Sequence, residues 1–571
     1  MRRFLLVDRL PRVVTDGQAE PPTPERVPPP RECLERDDRS ATGVTGAGGF
    51  DADSTGVDPS ASDPTGAVVW HRDQLRIRDQ PAVAAATEHA DVVLPLFVFD
   101  PGFYGDDGLA CDARVRFLHE CLVDLSDRYD TASGGRARLT YAHGDPTAVL
   151  AAAVDDGWTV FAAQGPTGRY GLERDAAAAD LGVRFVSGDG LRRGVERPRD
   201  GWSDHVEAWF EADQHRPSLE GTALTDLDTG VSVEGIEAEY DTDPSKSPVL
   251  EGGTTAARET LRSFVERMAE YPGSISSPLD AREGCSGLSP YLTFGCLSTR
   301  QVYQYVHEHA PSGRGRDMFV SRLFWNRHYH QKLEDWPGWL DTAVNPELEG
   351  FNRDTYDPAL VAAWKAGRTG YPMIDAAMRC LEATGWLNFR MRAMAASGYF
   401  HLLQQPWRIG ADWYHHHLID SDAAINYTQW QSQAGLIGKP SLRLYNPRKQ
   451  VRDQDPDGEW IRRWVPELTG LPPEHLPRPE LTPPAVQADC GVVIGDGPDA
   501  DYPRPVVEYE AAKERFWRRY EGPKAAAAAR LADEEVARRA SFSRGLAGAK
   551  AIASKYGERE PTGTQTGLDD F

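Results

Sequence analysis

The feature that most restricts the fold of this 571-residue chain is a series of short apolar runs that alternate with alanine-rich segments. The apolar runs are residues 68–70, 92–99, 139–141, 159–161 and 183–186, and the helical segments are 81–90, 112–128, 146–156 and 172–181. Strands that alternate with helices favour a parallel sheet covered on both faces. We therefore predict a doubly wound α/β domain over residues 67–195. No G-x-G-x-x-G motif follows the first run, so a dinucleotide site is not expected there.

The remaining segments differ in composition. Residues 256–525 have helical patterning without a convincing strand, which predicts an all-helical domain. Residues 1–66 hold nine prolines and neither Trp nor Tyr, and are expected to be a disordered N-terminal extension. Residues 196–255 are acidic and rich in Gly, Ser, Pro and Thr, as in a linker. Residues 526–571 are expected to form a C-terminal helix and tail.

The net charge of −24 comes from 63 basic and 87 acidic residues. A large acidic excess with few lysines is typical of halophilic proteins, although a GC-rich genome that favours Arg and Ala codons gives a similar composition. This charge opposes nucleic-acid binding, which needs a basic surface. Residues 317–465, however, carry 17 basic and 17 acidic side chains. The acidic excess of the chain therefore does not argue against nucleic-acid binding by that segment.

Several classes of protein and site are excluded by simple patterns. No run approaches the roughly 18–20 apolar residues of a membrane span, and the N-terminal apolar run is too short for a secretory signal. The seven cysteines never show C-x-x-C spacing, which argues against zinc, iron–sulfur and disulfide frameworks and favours a reducing cytoplasm. His415, His416 and His417 lack an acidic cluster at ligand spacing, so we expect a solvated helix face and no metal site.

Tryptophan is concentrated in one part of the chain, with ten of the 15 between residues 317 and 465. Packing in a large helical core is one explanation. However, Trp407 and Trp430 flank a short segment that contains Asp420, Asp422 and Asn426. Carboxylates and an amide between oxidisable indoles suggest a redox cofactor with hydrogen-bonding edges, and a flavin fits that description.

Specific motifs resemble those of the DNA photolyase/cryptochrome family. They are LSPYLTFG at 288–295, GRTGYPMIDAAMR at 367–379, Asn446-Pro447, DPDGEWIRRWVPEL at 455–468, and VWHR at 69–72. The resemblance covers about residues 67–525. It implies an α/β domain of the antenna type, followed by a helical catalytic domain that binds FAD.

The resemblance also implies an FAD site. Its residues are those positions of this sequence that match the family's cofactor-binding positions. The set is Tyr271, Cys285, Ser286, Gly287, Leu288, Ser289, Phe319, Arg322, Trp325, Asn326, Arg392, Asp420, Asp422 and Asn426. Residues 285–289 match the segment at the flavin diphosphate, where a turn that opens a helix offers free N–H groups. The family usually has Thr at the position of Cys285 and Arg at the position of Gly287. Both changes keep the backbone N–H groups, so we expect them at worst to weaken FAD binding.

Asn426 matches the residue that faces flavin N5, and an amide there is typical of repair enzymes. Trp430 and Trp407 match the two inner members of a tryptophan relay that photoreduces the flavin. Asp354 occupies the third position, and Tyr356 is either its substitute or an ordinary surface aromatic.

The lesion-facing positions leave the function open. Trp325 and Arg390 match residues that line the pocket for a flipped dimer, and with Asn426 they form the expected catalytic set. The expected DNA contacts are Arg322, Trp325, Arg390, Arg443, Arg448 and Lys449. The usual Glu, second Trp, Asn and Met are replaced by Arg322, Ser432, Phe389 and Ala393. Three functions therefore remain open. The protein is a light-driven photolyase acting on cyclobutane or (6-4) lesions, a cryptochrome-like photoreceptor with an unidentified partner, or a flavin-binding remnant.

The resemblance finally implies partners and a second cofactor. Damaged DNA is the expected macromolecular partner, with the protein acting as a monomer away from membranes. The family's α/β domain commonly carries a light-harvesting chromophore, 8-hydroxy-deazaflavin or methenyltetrahydrofolate, and the sequence leaves the choice between them open.

Overall fold

A computed structural model describes residues 65–557, except 106–107, 218, 220–221, 243, 249 and 440–441. The expected N-terminal extension therefore lies outside the described residues up to residue 64, and so does the tail from residue 558. In the described part, no helix combines the length and the apolar character that crossing a bilayer requires.

A parallel sheet forms the N-terminal domain, as the alternating pattern predicts. Its strands are β1 (Gly66–His71), β2 (Val92–Phe99), β3 (Thr140–His143), β4 (Thr159–Ala163), β5 (Arg184–Val186) and β6 (Ala223–Leu224). The order is β3-β2-β1-β4-β5, with β6 paired to the start of β2. Strands β1 and β2 are buried along their whole length, because helices cover both faces of the sheet.

Pro95 lies inside β2, although proline cannot donate to a sheet ladder. Here β6 pairs with Val92 and Val93, whereas β3 pairs from Leu96 onward. Pro95 therefore lies between the residues of β2 that pair with β6 and those that pair with β3. Its missing N–H disrupts neither the β2–β6 nor the β2–β3 hydrogen bonds.

The rest of the described chain is helical. The helices are α1 (Pro81–His89), α2 (Asp112–Ser133), α3 (Pro146–Asp155), α4 (Arg169–Asp180), α5 (Trp202–Glu211), α6 (Val233–Tyr240), α7 (Gly253–Arg267), α8 (Tyr271–Ser274), α9 (Ala281–Gly284), α10 (Ser289–Thr293), α11 (Thr299–His309), α12 (Arg314–Asp335), α13 (Pro358–Lys365), α14 (Pro372–Thr384), α15 (Phe389–Ser397), α16 (Trp407–His417), α17 (Ala423–Ala434), α18 (Pro447–Gln454), α19 (Glu459–Trp464), α20 (Pro484–Cys490), α21 (Tyr509–Arg530), α22 (Glu534–Ala540) and α23 (Gly545–Tyr556). A two-residue parallel pair, β7 (Ile494–Gly495) and β8 (Tyr502–Pro503), was not expected from the pattern, because such short strands show no periodicity.

Residues 196–255 are not a simple linker, in contrast to the expectation from composition. They contain α5, β6 and α6, and Val206 and Phe210 of α5 are fully buried. The Phe210 ring stacks on Tyr303 of α11 at a centroid distance of 4.6 Å. The apolar residues of α5 recur every four positions, so they form one buried stripe that the acidic average composition concealed.

The two domains share part of their cores. Phe117 of α2 contacts Tyr291 and Phe294 of the helical domain at centroid distances of 5.4 and 5.3 Å. Nearby, Asp79 and Arg300 form an ion pair in which both side chains are at most 4% exposed. Helix α2 consequently acts as a rigid support for the helical domain.

The three histidines at the end of α16 lie at this domain contact, and the prediction of a solvated helix face is wrong. Arg114 of α2 donates to the carbonyls of His415 and Ser421, at 3.0 and 2.8 Å. Burial lowers the pKa of His415 and of His417 to about 3. The sequence could not indicate this burial, because the covering helix is about 300 residues away along the chain.

Candidate functional site

Asp420 and Arg392 form the central ion pair of the candidate site. Arg392 lies on α15, and Asp420 lies in the turn between α16 and α17. One guanidinium nitrogen is 2.9 Å from each carboxylate oxygen, and the Ser289 hydroxyl donates to the same carboxylate at 2.7 Å. The Asp420 side chain is only 6% exposed, so these donors replace the water that burial removes.

Asp422 is the N-cap residue of α17. One carboxylate oxygen accepts from the Ile425 N–H at 3.0 Å, and the other is 2.9 Å from His330 Nε2. Burial opposes ionisation of Asp422, but His330, the Ile425 N–H and the charge of Arg327 together outweigh it and bring the pKa of the carboxyl down to about 2. The carboxylate is therefore charged at neutral pH.

Asn426 lies on the first turn of α17 and is 9% exposed. Its side-chain nitrogen donates to the Ala411 carbonyl at 2.9 Å. Within the described residues, its side-chain oxygen accepts no hydrogen bond, so it remains able to accept one from a ligand N–H.

The segment 285–289 reaches this cluster through Ser289. Gly287 has a φ of +69°, a backbone conformation that glycine adopts without strain and that the usual arginine would not. Leu288 is buried and Ser286 accepts from its N–H at 3.3 Å. Burial raises the pKa of the Cys285 thiol to about 11, so it is a neutral group here.

The predicted site residues of helix α12 lie on two different faces of that helix. Phe319, Arg322, Asn326 and His330 recur at helical spacing on one side, where Phe319 contacts Tyr271 edge-on at 5.9 Å. Trp325 instead lines a groove of about 470 Å³ with Trp202 of α5, together with Phe324 and His328. The sequence did not indicate this groove, because it depends on how α5 packs.

Trp430 and Trp407 are both buried, but their nearest ring neighbours differ. The Trp430 ring lies 5.1 Å from Tyr414, 5.9 Å from Tyr399 and 6.2 Å from Trp364. The Trp407 ring lies 6.4 Å from Tyr427. The sequence interpretation missed these neighbours, because no linear spacing connects them to Trp430.

The expected outer end of the relay is polar. Asp354 is largely exposed and pairs with Arg519 at 2.5 Å. Tyr356 is half-buried beside Tyr399. Its role in electron transfer stays a prediction.

The expected DNA contacts have unequal accessibility. Arg322, Arg443 and Lys449 are exposed, and Arg390 is half-buried with a buried Nε that has no partner. Arg448 is placed differently from the prediction, because its side chain is 8% exposed and donates to Glu480 at 2.8 Å. It supports α18 from inside rather than facing solvent.

The substituted lesion-facing positions are also distinct in exposure. Phe389 is 63% exposed at the start of α15, whereas Ala393 is buried one turn later. The Ser432 hydroxyl donates to the Thr428 carbonyl within α17 at 2.7 Å. Phe389 and Ala393 therefore offer no polar group to the edge of a base, and Ser432 offers only a hydroxyl oxygen whose hydrogen is already donated.

The donors and acceptors of this site fit FAD. The free oxygen of Asn426 and the carboxylate of Asp420 can accept from the N–H groups of an isoalloxazine ring. At the start of α10, Pro290 has no N–H and the Leu288 N–H bonds to Ser286, so the Ser289 and Tyr291 N–H groups are the ones left to face a phosphate. Trp430 Nε1 is a further buried polar atom without a protein partner.

Comparisons with known proteins agree with this geometry. Residues 319–522 match the family model "FAD binding domain of DNA photolyase", and residues 67–190 match "DNA photolyase". The chain is 31% identical to a deoxyribodipyrimidine photo-lyase of Synechococcus sp., over 80% of this chain and 97% of that protein. It is 28% identical to a cryptochrome DASH of Gloeobacter violaceus, over 77% and 93% of the two chains. A class III photolyase from Agrobacterium tumefaciens has a similar structure, with a TM-score of 0.65, 25% identity, and coverage of 82% of this chain and 99% of that one.

Proposed function

Because the chain belongs to the DNA photolyase/cryptochrome family, we propose that it is a FAD-dependent photolyase that uses blue light to split pyrimidine dimers in ultraviolet-damaged DNA. The observation that carries this proposal is Asn426, a buried amide whose free oxygen lies one turn from the Asp422 cap. An amide can accept a hydrogen bond from a reduced flavin and donate one to an oxidised flavin without changing its own charge.

The residues of the site have separate roles in this proposal. FAD, when bound, supplies the light-excited electron donor for the dimer. Asp420 is held by Arg392 and orients the ring edge, while Trp430 and Trp407 offer oxidisable side chains on the protein side. The helical packing excludes water from Trp430, which is 3% exposed.

DNA binding is assigned to the exposed cations Arg322, Arg443 and Lys449, together with Arg390 and Trp325. Phosphate binding by such groups depends on salt, and a dimer reaches a buried site only when it leaves the base stack. Arg448 is not part of this surface, because its guanidinium is paired with Glu480.

A second chromophore, deazaflavin or folate, is assigned to the crevice between the domains. Residues 164–167 follow β4 and line a cavity of about 230 Å³ together with Leu333 and Glu334. The carboxyl ends of β1 and β4 form the point at which the strand order reverses, and ligands of open parallel sheets bind there.

The decisive experiment counts dimers. The reduced, FAD-loaded protein is mixed with ultraviolet-damaged DNA and illuminated, with a dark sample and an Asn426→Ala variant as controls. We expect a light-dependent loss of cyclobutane or (6-4) lesions with the wild type. Photoreducible flavin without loss of either lesion would contradict the repair proposal.

A cryptochrome-like photoreceptor is the second candidate, and the lesion-facing side chains favour it. Phe389 and Ala393 cannot hydrogen-bond to base edges, Ser432 can only accept, and the relatives include proteins named cryptochromes. Under this alternative, illumination changes the protein without changing the DNA, so limited proteolysis in light and dark would differ while the dimer count stays constant.

A further inference from the structure

His330 lies on α12 with hydrogen-bond partners on both ring nitrogens. Its Nδ1 is 2.8 Å from the Asn326 carbonyl oxygen, and its Nε2 is 2.9 Å from an Asp422 carboxylate oxygen. A carbonyl oxygen can only accept, so Nδ1 carries a hydrogen. The other oxygen of Asp422 accepts from the Ile425 N–H, as an ionised carboxylate does, and such a carboxylate can only accept, so Nε2 carries a hydrogen as well. A histidine with both nitrogens protonated is positively charged.

Two other cations lie near Asp422, but they direct their hydrogen bonds to neutral groups and not to this carboxylate. Arg327 donates to the Asn326 side chain and to the Asp189 carbonyl. Arg114 donates to the carbonyls of His415 and Ser421, and buried His415 is neutral at ordinary pH. Of the described residues, only His330 brings a side-chain nitrogen within salt-bridge distance of the Asp422 carboxylate.

We propose that His330 is a positioning residue with a hydrogen on each ring nitrogen, and that the resulting positive charge balances Asp422 and thereby favours the reduced state of the bound flavin. The part of this proposal that concerns the flavin rests on the proposed function. The charge of His330 does not, because it follows from protein contacts alone.

The pairing with His330 matters because Asp422 also holds α17. Its second carboxylate oxygen caps the helix, and its carbonyl accepts from the Asn426 N–H at 2.8 Å. With a charged His330, Asp420 and Asp422 each have a cationic partner. With a neutral His330, Asp422 would lose its nearest positive charge, and the more negative site would disfavour the addition of electrons to a bound flavin.

The first test measures the charge of His330 directly in the full chain. Nitrogen-15 NMR of protein labelled at histidine should show His330 with both nitrogens protonated near neutral pH, with the signal assigned by its loss in His330→Gln. His309 is a matched control, because its Nδ1 also contacts the carbonyl four residues earlier, at 3.0 Å, but its side chain is 43% exposed. A neutral tautomer at His330 would overturn the proposal.

Asp422→Asn gives an independent check of the same signal. It keeps a helix-capping side chain but removes the negative charge, so His330 should shift toward the neutral signature. An unchanged His330 signal in this variant would contradict the pairing.

The second test measures the reduction potential of bound FAD. His330→Gln should make it more negative, His330→Lys should restore it at least in part, and His309→Gln should leave it unchanged. Equal potentials in all four proteins would overturn the effect on the flavin. Failure to take up FAD would instead contradict the proposed function, while the NMR result would still decide the charge of His330.

Discussion

Arg392 is the side chain whose loss should damage the site most. It is the ion-pair partner of Asp420, whose carboxylate is 6% exposed. Removing one partner of a buried pair leaves an uncompensated charge and costs about 3–5 kcal/mol. We expect Arg392→Met to lower the free energy of unfolding by an amount toward the lower end of this range, because Arg392 itself is 24% exposed, and to release FAD.

Urea unfolding and flavin retention measure these effects. Arg353→Met is the control, because Arg353 is 73% exposed in its pair with Glu349 and should contribute less than about 1 kcal/mol. Equal stability losses in the two variants would contradict the assignment.

Asp422 should contribute to stability in a way that depends on pH. Its pKa is lowered from 3.8 to about 2, so the contribution is complete above about pH 4 and is lost as the pH falls toward 2. A shift of this size corresponds to about 2 kcal/mol. Asp422→Asn should be less stable than the wild type by about this amount near pH 7.

Urea titrations at a series of pH values measure this difference, which should narrow between about pH 4 and pH 2. Asp357→Asn is the matched control, since Asp357 caps α13 without a histidine partner. A gap that stays constant across the acidic range would rule out the His330–Asp422 interaction as its cause.

Trp430 should be required for efficient photoreduction of the flavin. Its indole is buried against three aromatic rings, and phenylalanine at this position packs but is far harder to oxidise. Trp430→Phe should therefore slow flavin reduction under illumination with an external reductant. Trp413→Phe on α16 is the control and should behave like the wild type. If flavin reduction were slowed equally in the two variants, a specific electron-transfer role of Trp430 would be contradicted.

Helix α5 should be a structural element rather than a tether. Phe210 is fully buried between Tyr303 and Phe324, at centroid distances of 4.6 and 5.1 Å. Truncation of a buried phenylalanine costs about 3–5 kcal/mol, so Phe210→Ala should destabilise the protein by that amount in urea unfolding. Val195→Ala, at a position 45% exposed, should change stability by less than about 0.5 kcal/mol, and a similarly small effect of Phe210→Ala would restore the linker interpretation.

The elements differ in how well sequence patterns predict them. Strands β1 to β5 follow from local apolar runs and helices α1 to α4 from alanine-rich segments. The signal is strongest at β1 and β2, which are buried on both faces of the sheet. Helix α5 and the histidines of α16 were assigned incorrectly. Their burial depends on partners far away in the sequence, which local composition does not reveal.

The charge of the whole molecule predicts a dependence on salt. A net charge of −24 repels itself in the compact state, and the Debye length falls from about 10 Å at 0.1 M salt to about 3 Å at 1 M. The free energy of unfolding should therefore rise between about 0.1 M and about 1 M KCl. Equal concentrations of NaCl should act alike, and a stability that is flat or falls with salt would contradict the halophilic interpretation.

Local patterns along the chain were enough to show an apolar alternation that must form a parallel sheet, and motifs that place the chain in a family whose cofactor is FAD. Which side chains are accessible or paired depends instead on how the folded segments pack. Arg448 was predicted to contact DNA but pairs with Glu480, and no local pattern distinguishes His330, whose Nε2 lies 2.9 Å from Asp422. The reason is physical: hydrophobic patterning is local along the chain, whereas solvation and ion pairing depend on distances between segments that folding brings together.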